Sequence, residues 1–333
     1  MLTDIELQDV RIIAELPYEW RKLTNKTLLI SGATGFVGSF LCNILAYRNA
    51  KYQQKIKVVS LSRGGGIDSE TVTYKKVDIS QPFSINEKID YVLHLASNTH
   101  PKQYAEDPIG TITTNIYGCD NLLKIARDNQ ARFLLASSVE IYGNGTEKLM
   151  EENYCGYIDC NQARAGYNES KRVSESLVQS YRKQYGIQGV IVRLARIFGA
   201  DKKTDTKAMA QFISKAVAGK DIILHSKGNQ RFSYCYIADA VSGIIKVLLD
   251  GMDGEAYNIT EEDEGLTIGE YAEYLALLSG TKVIYQIENN SFASKSTYAL
   301  LDNTKLKELG WEPLFTIKEG LKRTIEIKRQ LLD

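Results

Sequence analysis

Short apolar runs recur through the first two hundred residues, each followed by a stretch with a different rhythm. KTLLISG (26–32), KIKVVSLSR (55–63), TVTYKKVDI (71–79), DYVLHLAS (90–97), ARFLLASSVEIYG (131–143) and QGVIVRLARIFG (188–199) read as strands, most of them continuously apolar as buried strands are. Between them, GFVGSFLCNILAYRN, NIYGCDNLLKIARDN and NESKRVSESLVQSYRKQYG space their apolar residues three and four apart, the helical repeat. Strands alternating with helices predict an α/β protein: a doubly wound parallel sheet covered on both faces. After residue 200 helical segments such as AMAQFISKAVAGK and IGEYAEYLALLSG mix with short strands, which predicts a smaller C-terminal α/β domain over 201–333. Residues 24–200 then form the larger domain, to which 232–258 is expected to return. Residues 1–23 read as an N-terminal extension, with Ile5, Val10, Ile13 and Leu16 at rough helical spacing, so a short amphipathic helix packed on its own domain is expected there.

Composition narrows the class. The chain has 333 residues, 44% hydrophobic and 25% charged, with 41 basic and 41 acidic side chains balancing to a net charge of zero. A neutral chain is a poor match to a nucleic-acid binder held by phosphate contacts. No apolar run reaches the ~20 residues that span a bilayer. The opening MLTDIELQDVRIIAELPYEW lacks a basic stretch followed by uninterrupted apolar residues, so neither membrane insertion nor secretion is expected and the cytoplasm is the expected location. Cys42, Cys119, Cys155, Cys160 and Cys235 are odd in number and loosely spaced, which reads as reduced thiols. Cys155 and Cys160 lack zinc-site spacing and an accompanying His pair, so no metal is expected. His94 lies inside an apolar run and reads as a core residue rather than a catalyst.

Ser31-Gly32-Ala33-Thr34-Gly35-Phe36-Val37-Gly38 ends a strand and opens a helix. Its Gly-x-x-Gly-x-x-Gly spacing allows a tight turn and lets backbone N–H groups approach a diphosphate at the helix N-terminus. That is the phosphate loop of a Rossmann-type dinucleotide domain, with Gly32, Thr34, Gly35, Phe36, Val37 and Gly38 at the cofactor. An acidic residue at the end of the next strand would hold the ribose 2′-hydroxyl of NAD. Ser62 and Arg63 stand there instead, a pair that tilts the expectation toward the 2′-phosphate of NADP; Arg63 as a solvated charge or as a cover for adenine is the alternative. Asp78 and Ile79, after the third strand, are candidates for the adenine edge.

Tyr167 and Lys171, at i and i+4, share a helix face. A free phenol titrates near 10, and a neighbouring ammonium lowers that value. The phenolate then takes a proton from a substrate hydroxyl as hydride leaves for the cofactor. Ser138 and Glu140 end the strand before that helix, where parallel sheets bind ligands. Ser138 reads as a hydrogen-bond partner of the reacting hydroxyl. Glu140 reads as an acid/base, or else as a solvated loop carboxylate.

Together these segments resemble the extended short-chain dehydrogenase/reductase family of nucleotide-sugar epimerases, dehydratases and decarboxylases. The resemblance runs from about Lys26 to the C-terminus. It rests on the glycine loop, HLAS at 94–97, SSVEIYG at 137–143, YNESK at 167–171, YIAD at 236–239 and LDNTKLKELGWEP at 301–313. HLASNTHPKQYAEDPIGTITTN, LLASSVEIYG and ENYCGYIDCNQARAGYNESKR are most similar to the UDP-glucuronate decarboxylases. The resemblance implies a bound NAD or NADP, contacted also by Leu95, Ala96, Ser97, Tyr167 and Lys171, and a nucleotide-diphosphate sugar as substrate. It implies Ser138 as hydroxyl partner, Glu140 as acid/base near C5, Tyr167 as base at the C4 hydroxyl and Lys171 as its activator. Arg164 and the stretch Thr99–Tyr104 become candidates for the sugar pocket, and a homodimer through the helices at 115–129 and 168–186 is implied.

Four features depart from the family. Val139 replaces the acid that dehydratases use on the C6 hydroxyl. Arg196 replaces an asparagine, which puts it at the substrate. Phe232 stands where the family has an arginine, with Arg231 one position earlier as a possible substitute. Ser62-Arg63 replaces the usual acidic residue of enzymes that hold NAD. The leading expectation is an enzyme that oxidises sugar C4 and then works at C5, since Glu140 is a group that a simple C4 epimerase would not need. An NADPH-dependent keto-sugar reductase is the alternative that Ser62-Arg63 favours. An inactive dinucleotide sensor is a third, opposed by the presence of both Tyr167 and Lys171.

Overall fold

The computed structural model describes every residue except 1, 99–105, 147, 202–206, 262–265, 288–297 and 333. Its centre is β1 (Thr27–Ser31), followed by β2 (Lys57–Ser62), β3 (Val72–Lys76), β4 (Tyr91–His94), β5 (Arg132–Ser138), β6 (Gly189–Leu194) and, much later in the chain, β11 (Ala256–Ile259). These seven strands form one sheet in the order β11-β6-β5-β4-β1-β2-β3, every neighbouring pair parallel. Consecutive residues serve opposite faces. Leu28, Ile30, Leu93, Leu134 and Val190 pack with α2 (Phe36–Tyr52) and α6 (Ile237–Asp250), while Leu29, Val92, Phe133, Leu135 and Ile191 pack with α3 (Pro108–Asn129) and α4 (Ala165–Tyr185). Burial on both sides explains why the strands read as unbroken apolar runs. The winding direction reverses between β1 and β4, and ligands bind such sheets at the carboxyl ends of the strands flanking that reversal.

The helix expected over 115–129 starts earlier, at Pro108. The Asp107 carboxylate accepts from the Gly110 N–H at 2.9 Å and caps it, and Pro108 supplies a first-turn residue that needs no N–H partner. The N-terminal extension carries α1 (Asp4–Ala14), opened by a reciprocal Thr3–Glu6 capping box. It buries Val10, Ile13 and Ala14 and also Asp9, which accepts from the Tyr236 hydroxyl at 2.6 Å and pairs with Arg323 at 2.5 Å.

β7 (Arg196–Phe198) leaves the end of β6 after one residue, Ala195, and pairs with β10 (Tyr234–Tyr236), Arg196 opposite Tyr234. Two further parallel ladders join β8 (Ile222–Leu224) to β12 (Val283–Tyr285) and β9 (Arg231–Phe232) to β13 (Tyr298–Ala299). The remaining helices are α5 (Ala208–Val217), α7 (Ile268–Ser279), α8 (Thr304–Glu308) and α9 (Ile317–Gln330). The YIAD and GW motifs tie the C-terminal segment to α6. Buried Asp239 accepts from the N–H groups of Leu314 (2.7 Å) and Phe315 (3.2 Å), and Trp311 donates to Ser242 at 2.8 Å. Among the described residues no helix is long and apolar enough to cross a membrane.

Candidate active site

The glycine loop is shaped by backbone meeting backbone. Gly32 adopts φ +80°, and a Cβ there would lie 2.8 Å from the Ala96 nitrogen. A Cβ on Gly38 would lie 2.3 Å from the Gly32 oxygen and 2.6 Å from the Ala33 Cα. Gly35 is extended and caps α2, and among the described residues no side-chain cap hydrogen bond is made there. The open N-terminus of α2 suits an anion, and the loop fits the diphosphate of a dinucleotide. Thr34 is exposed, and Phe36 and Val37 are half-buried on the first turn of α2.

The loop after β4 closes the same crevice. Leu95 and Ala96 donate through their N–H groups to the Ser31 oxygen (3.1 Å) and hydroxyl (3.3 Å), binding it to the end of β1. Ser97 donates to Asn115 at 2.8 Å. On the adenosine side, the Ser62 hydroxyl is used by its own turn, accepting from Gly64 and donating to Gly65. Arg63 is exposed, and its charge helps hold Asp78 below the usual carboxylate range, after the two hydrogen bonds from Ser80. Ile79 is buried.

Tyr167 and Lys171 lie on one face of α4 and are 7% and 3% exposed. Lys171 Nζ donates to the Ala136 carbonyl on β5 at 2.9 Å, which fixes the ammonium under the strand end. Burial brings its pKa down to about 8. His94 accepts or donates at Nδ1 with Ser31 at 2.9 Å; burial first, then the Lys171 charge, push it down to about 3, so it is a neutral core residue.

Ser138 ends β5, and its hydroxyl accepts from the Glu140 N–H at 3.2 Å, capping the short 3-10 turn Val139–Tyr142. This turn carries Glu140 toward α4, where Asn168 donates to the Glu140 carbonyl at 2.9 Å and to its carboxylate at 3.4 Å. Arg196 Nη2 lies 3.5 Å from one carboxylate oxygen and Arg164 Nη2 lies 3.9 Å from the other. Arg231, by contrast, is exposed on β9, where its charge acts on Glu270. Thr99 and Tyr104 lie outside the described residues.

Two further residues carry no motif of their own. Asn168 reads as a spacer inside YNESK. Asn115 accepts from Ser97 at 2.8 Å and donates to Ser170 at 2.9 Å, linking the loop after β4 to α4. Only its buried position on α3, a polar residue on an apolar face, signals it.

The description "NAD dependent epimerase/dehydratase family" matches residues 28–260. UDP-glucuronic acid decarboxylase 5 of Arabidopsis thaliana is 32% identical over 311 residues, covering 90% of this chain and 88% of that protein. Among solved structures, UDP-glucose 4-epimerase of Thermotoga maritima matches with a TM-score of 0.79 at 22% identity, over 92% of this chain and 100% of that one. UDP-glucuronic acid 4-epimerase of Bacillus cereus, solved with UDP-glucuronic acid and NAD, matches with a TM-score of 0.76 at 22% identity, over 92% and 99%. These two likenesses bear on the fold, a Rossmann-type α/β sheet, and the family match covers most of that sheet together with the glycine loop, Tyr167 and Lys171. The chain therefore belongs to the NAD dependent epimerase/dehydratase family and is an NAD-dependent enzyme.

Proposed function

We propose that the enzyme oxidises C4 of a nucleotide-activated sugar and uses the resulting ketone for chemistry at C5, with decarboxylation of UDP-glucuronic acid as the first reaction to test. The observation that carries this reading is the joining of Glu140 to the catalytic helix: Asn168, adjacent to Tyr167, holds the Glu140 turn at 2.9 Å. A C4 base and a second, carboxylate group thus share one rigid unit. The curated relatives supply the decarboxylase direction.

In this reading Tyr167 Oη takes the proton from the C4 hydroxyl, and Ser138 Oγ holds that oxygen in line. Lys171, fixed on Ala136, favours the phenolate by charge. NAD, held by the Gly32–Gly38 loop at the start of α2, would supply the hydride acceptor for C4 and return the hydride at the end of the cycle. A carboxylate on C5 is then β to a ketone; the C5–C6 bond breaks, carbon dioxide leaves, and the electron pair enters the C4–O enolate. Glu140 manages the proton at C5, and Tyr167 returns its own proton to O4 when the ketone is reduced back. Residues 24–200 with 232–258 are proposed to hold the dinucleotide and 201–333 chiefly the sugar nucleotide. A homodimer through α3 and α4 is proposed as well, supported by Ile109, Tyr117 and Val173, which are 75%, 57% and 40% exposed on those helices.

The test is to denature the purified protein, identify the released dinucleotide by mass spectrometry, and follow UDP-glucuronic acid by NMR. Retained NAD and a UDP-pentose product support the proposal. A C4 epimer that keeps its carboxylate moves the reaction to epimerisation. Freely exchanging NADPH with turnover of a preformed keto-sugar supports the reductase, the reading that exposed Arg63 favours.

A further inference from the structure

The guanidinium of Arg196 stands between a ring and a carboxylate. Its Cζ lies 3.7 Å over the Phe232 ring, and Nη2 reaches Glu140 at 3.5 Å. Nη1 is shielded from solvent and has no hydrogen-bond partner among the described residues, although the side chain as a whole is 22% exposed. A guanidinium with an unused buried donor has a standing reason to turn toward an acceptor that arrives with a ligand. Charge points the same way. Arg164 and Arg196 both face Glu140, so two cations share one anion and the surroundings of Glu140 carry a positive surplus. A neutral hexose offers nothing to that surplus, whereas a carboxylate matches the planar fork of arginine.

The origin of the cation is particular to this chain. The Arg196 guanidinium from β7 covers the Phe232 ring on β9, so the cation reaches Glu140 across two strands of this chain's own C-terminal part.

We propose that Arg196 recognises a carboxylate on the sugar, so that the enzyme selects nucleotide-uronic acids over neutral nucleotide-hexoses. The assignment rests on the reading that the sugar lies at Tyr167. The other anion of the substrate is its diphosphate, and binding measurements separate the two sources.

The experiment is calorimetric titration of the NAD-loaded enzyme with UDP, UDP-glucose and UDP-glucuronic acid, in the wild type, Arg196→Gln and Arg196→Lys. The wild type should bind UDP-glucuronic acid more tightly than UDP-glucose. Arg196→Gln should weaken UDP-glucuronic acid by about 10- to 100-fold and leave UDP and UDP-glucose unchanged. Arg196→Lys, which keeps the charge but loses the fork, should show an intermediate loss for UDP-glucuronic acid alone, and it decides the matter if the glutamine variant does not fold. An equal loss across all three ligands would assign the guanidinium to the diphosphate and overturn the proposal, as would no loss at all. Selective binding without turnover would count against decarboxylation and leave the role of Arg196 standing.

Discussion

Around Gly32 the chain meets itself backbone to backbone; around Glu140 it meets itself through long side chains. On the first side, one contiguous octapeptide and the loop after β4 approach so closely that a single added carbon at Gly32 or Gly38 would fall within 3 Å of main-chain atoms. On the second, Asn168 on α4, Arg164 at its N-cap and Arg196 on β7 each send a side chain to the same carboxylate, at distances of 3.4 to 3.9 Å. Close-packed backbone has no slack, so its sequence is confined to glycine. Side chains at the edge of hydrogen-bonding distance can be exchanged or delivered from another strand, as Arg196 over Phe232 illustrates. The glycine-loop half of the candidate site is thus specified by shape, and the Glu140 half by the placement of charge.

The contrast breaks most visibly at Tyr167. Tyr167→Phe removes the proton acceptor while keeping the ring, and kcat should fall by about 10²- to 10⁴-fold with NAD still bound. Steady-state rates paired with the nucleotide content of the purified variant check this; full activity would remove Tyr167 from the chemistry. Gly38→Ala sharpens the other half. Its Cβ must displace main-chain atoms, so a loss of about 1–3 kcal/mol in stability is expected together with loss of retained NAD. Thermal melts and mass spectrometry of the denatured protein read both, and unchanged NAD content would mean that the loop is not the diphosphate cradle.

The same contrast explains what was legible from sequence. The glycine loop and the Tyr167–Lys171 pair are local: their spacing, read with the strand and helix patterns that flank them, places them on a βα turn and on one helix face. The parallel sheet was legible because both of its faces are buried, which leaves unbroken apolar runs. The clamp on Glu140 was only partly legible. Arg196 and Phe232 are far apart in the chain and meet only because β7 pairs with β10, Arg196 opposite Tyr234. Asn168 was silent because its role is a bond to a backbone carbonyl, which no motif records. The role of Asp9 was silent too: a charged residue on an amphipathic helix reads as solvated, yet it is buried against Tyr236 and Arg323.

Lys171 belongs to both halves, and it yields the subtlest effect. Its ammonium is buried under β5, donating to the Ala136 carbonyl, and burial brings it down to about 8 rather than near 10.4 as in an unfolded chain. Below about pH 8 both states are protonated, and the native state bears the full cost of holding the charge out of water. Between about 8 and 10.4 the unfolded chain binds a proton that the native one has released, so stability rises with pH through this window. Lys171→Met keeps the length of the side chain and removes the charge. Beyond lowering activity, it should raise stability at pH 7 by about 1–3 kcal/mol, an advantage that shrinks as the wild type gains stability toward pH 10. Urea unfolding of both proteins at pH 7 and pH 9.5 measures this. An equal loss of stability at both values would mean that the bond to Ala136 outweighs desolvation, and that this lysine serves the fold as much as the chemistry.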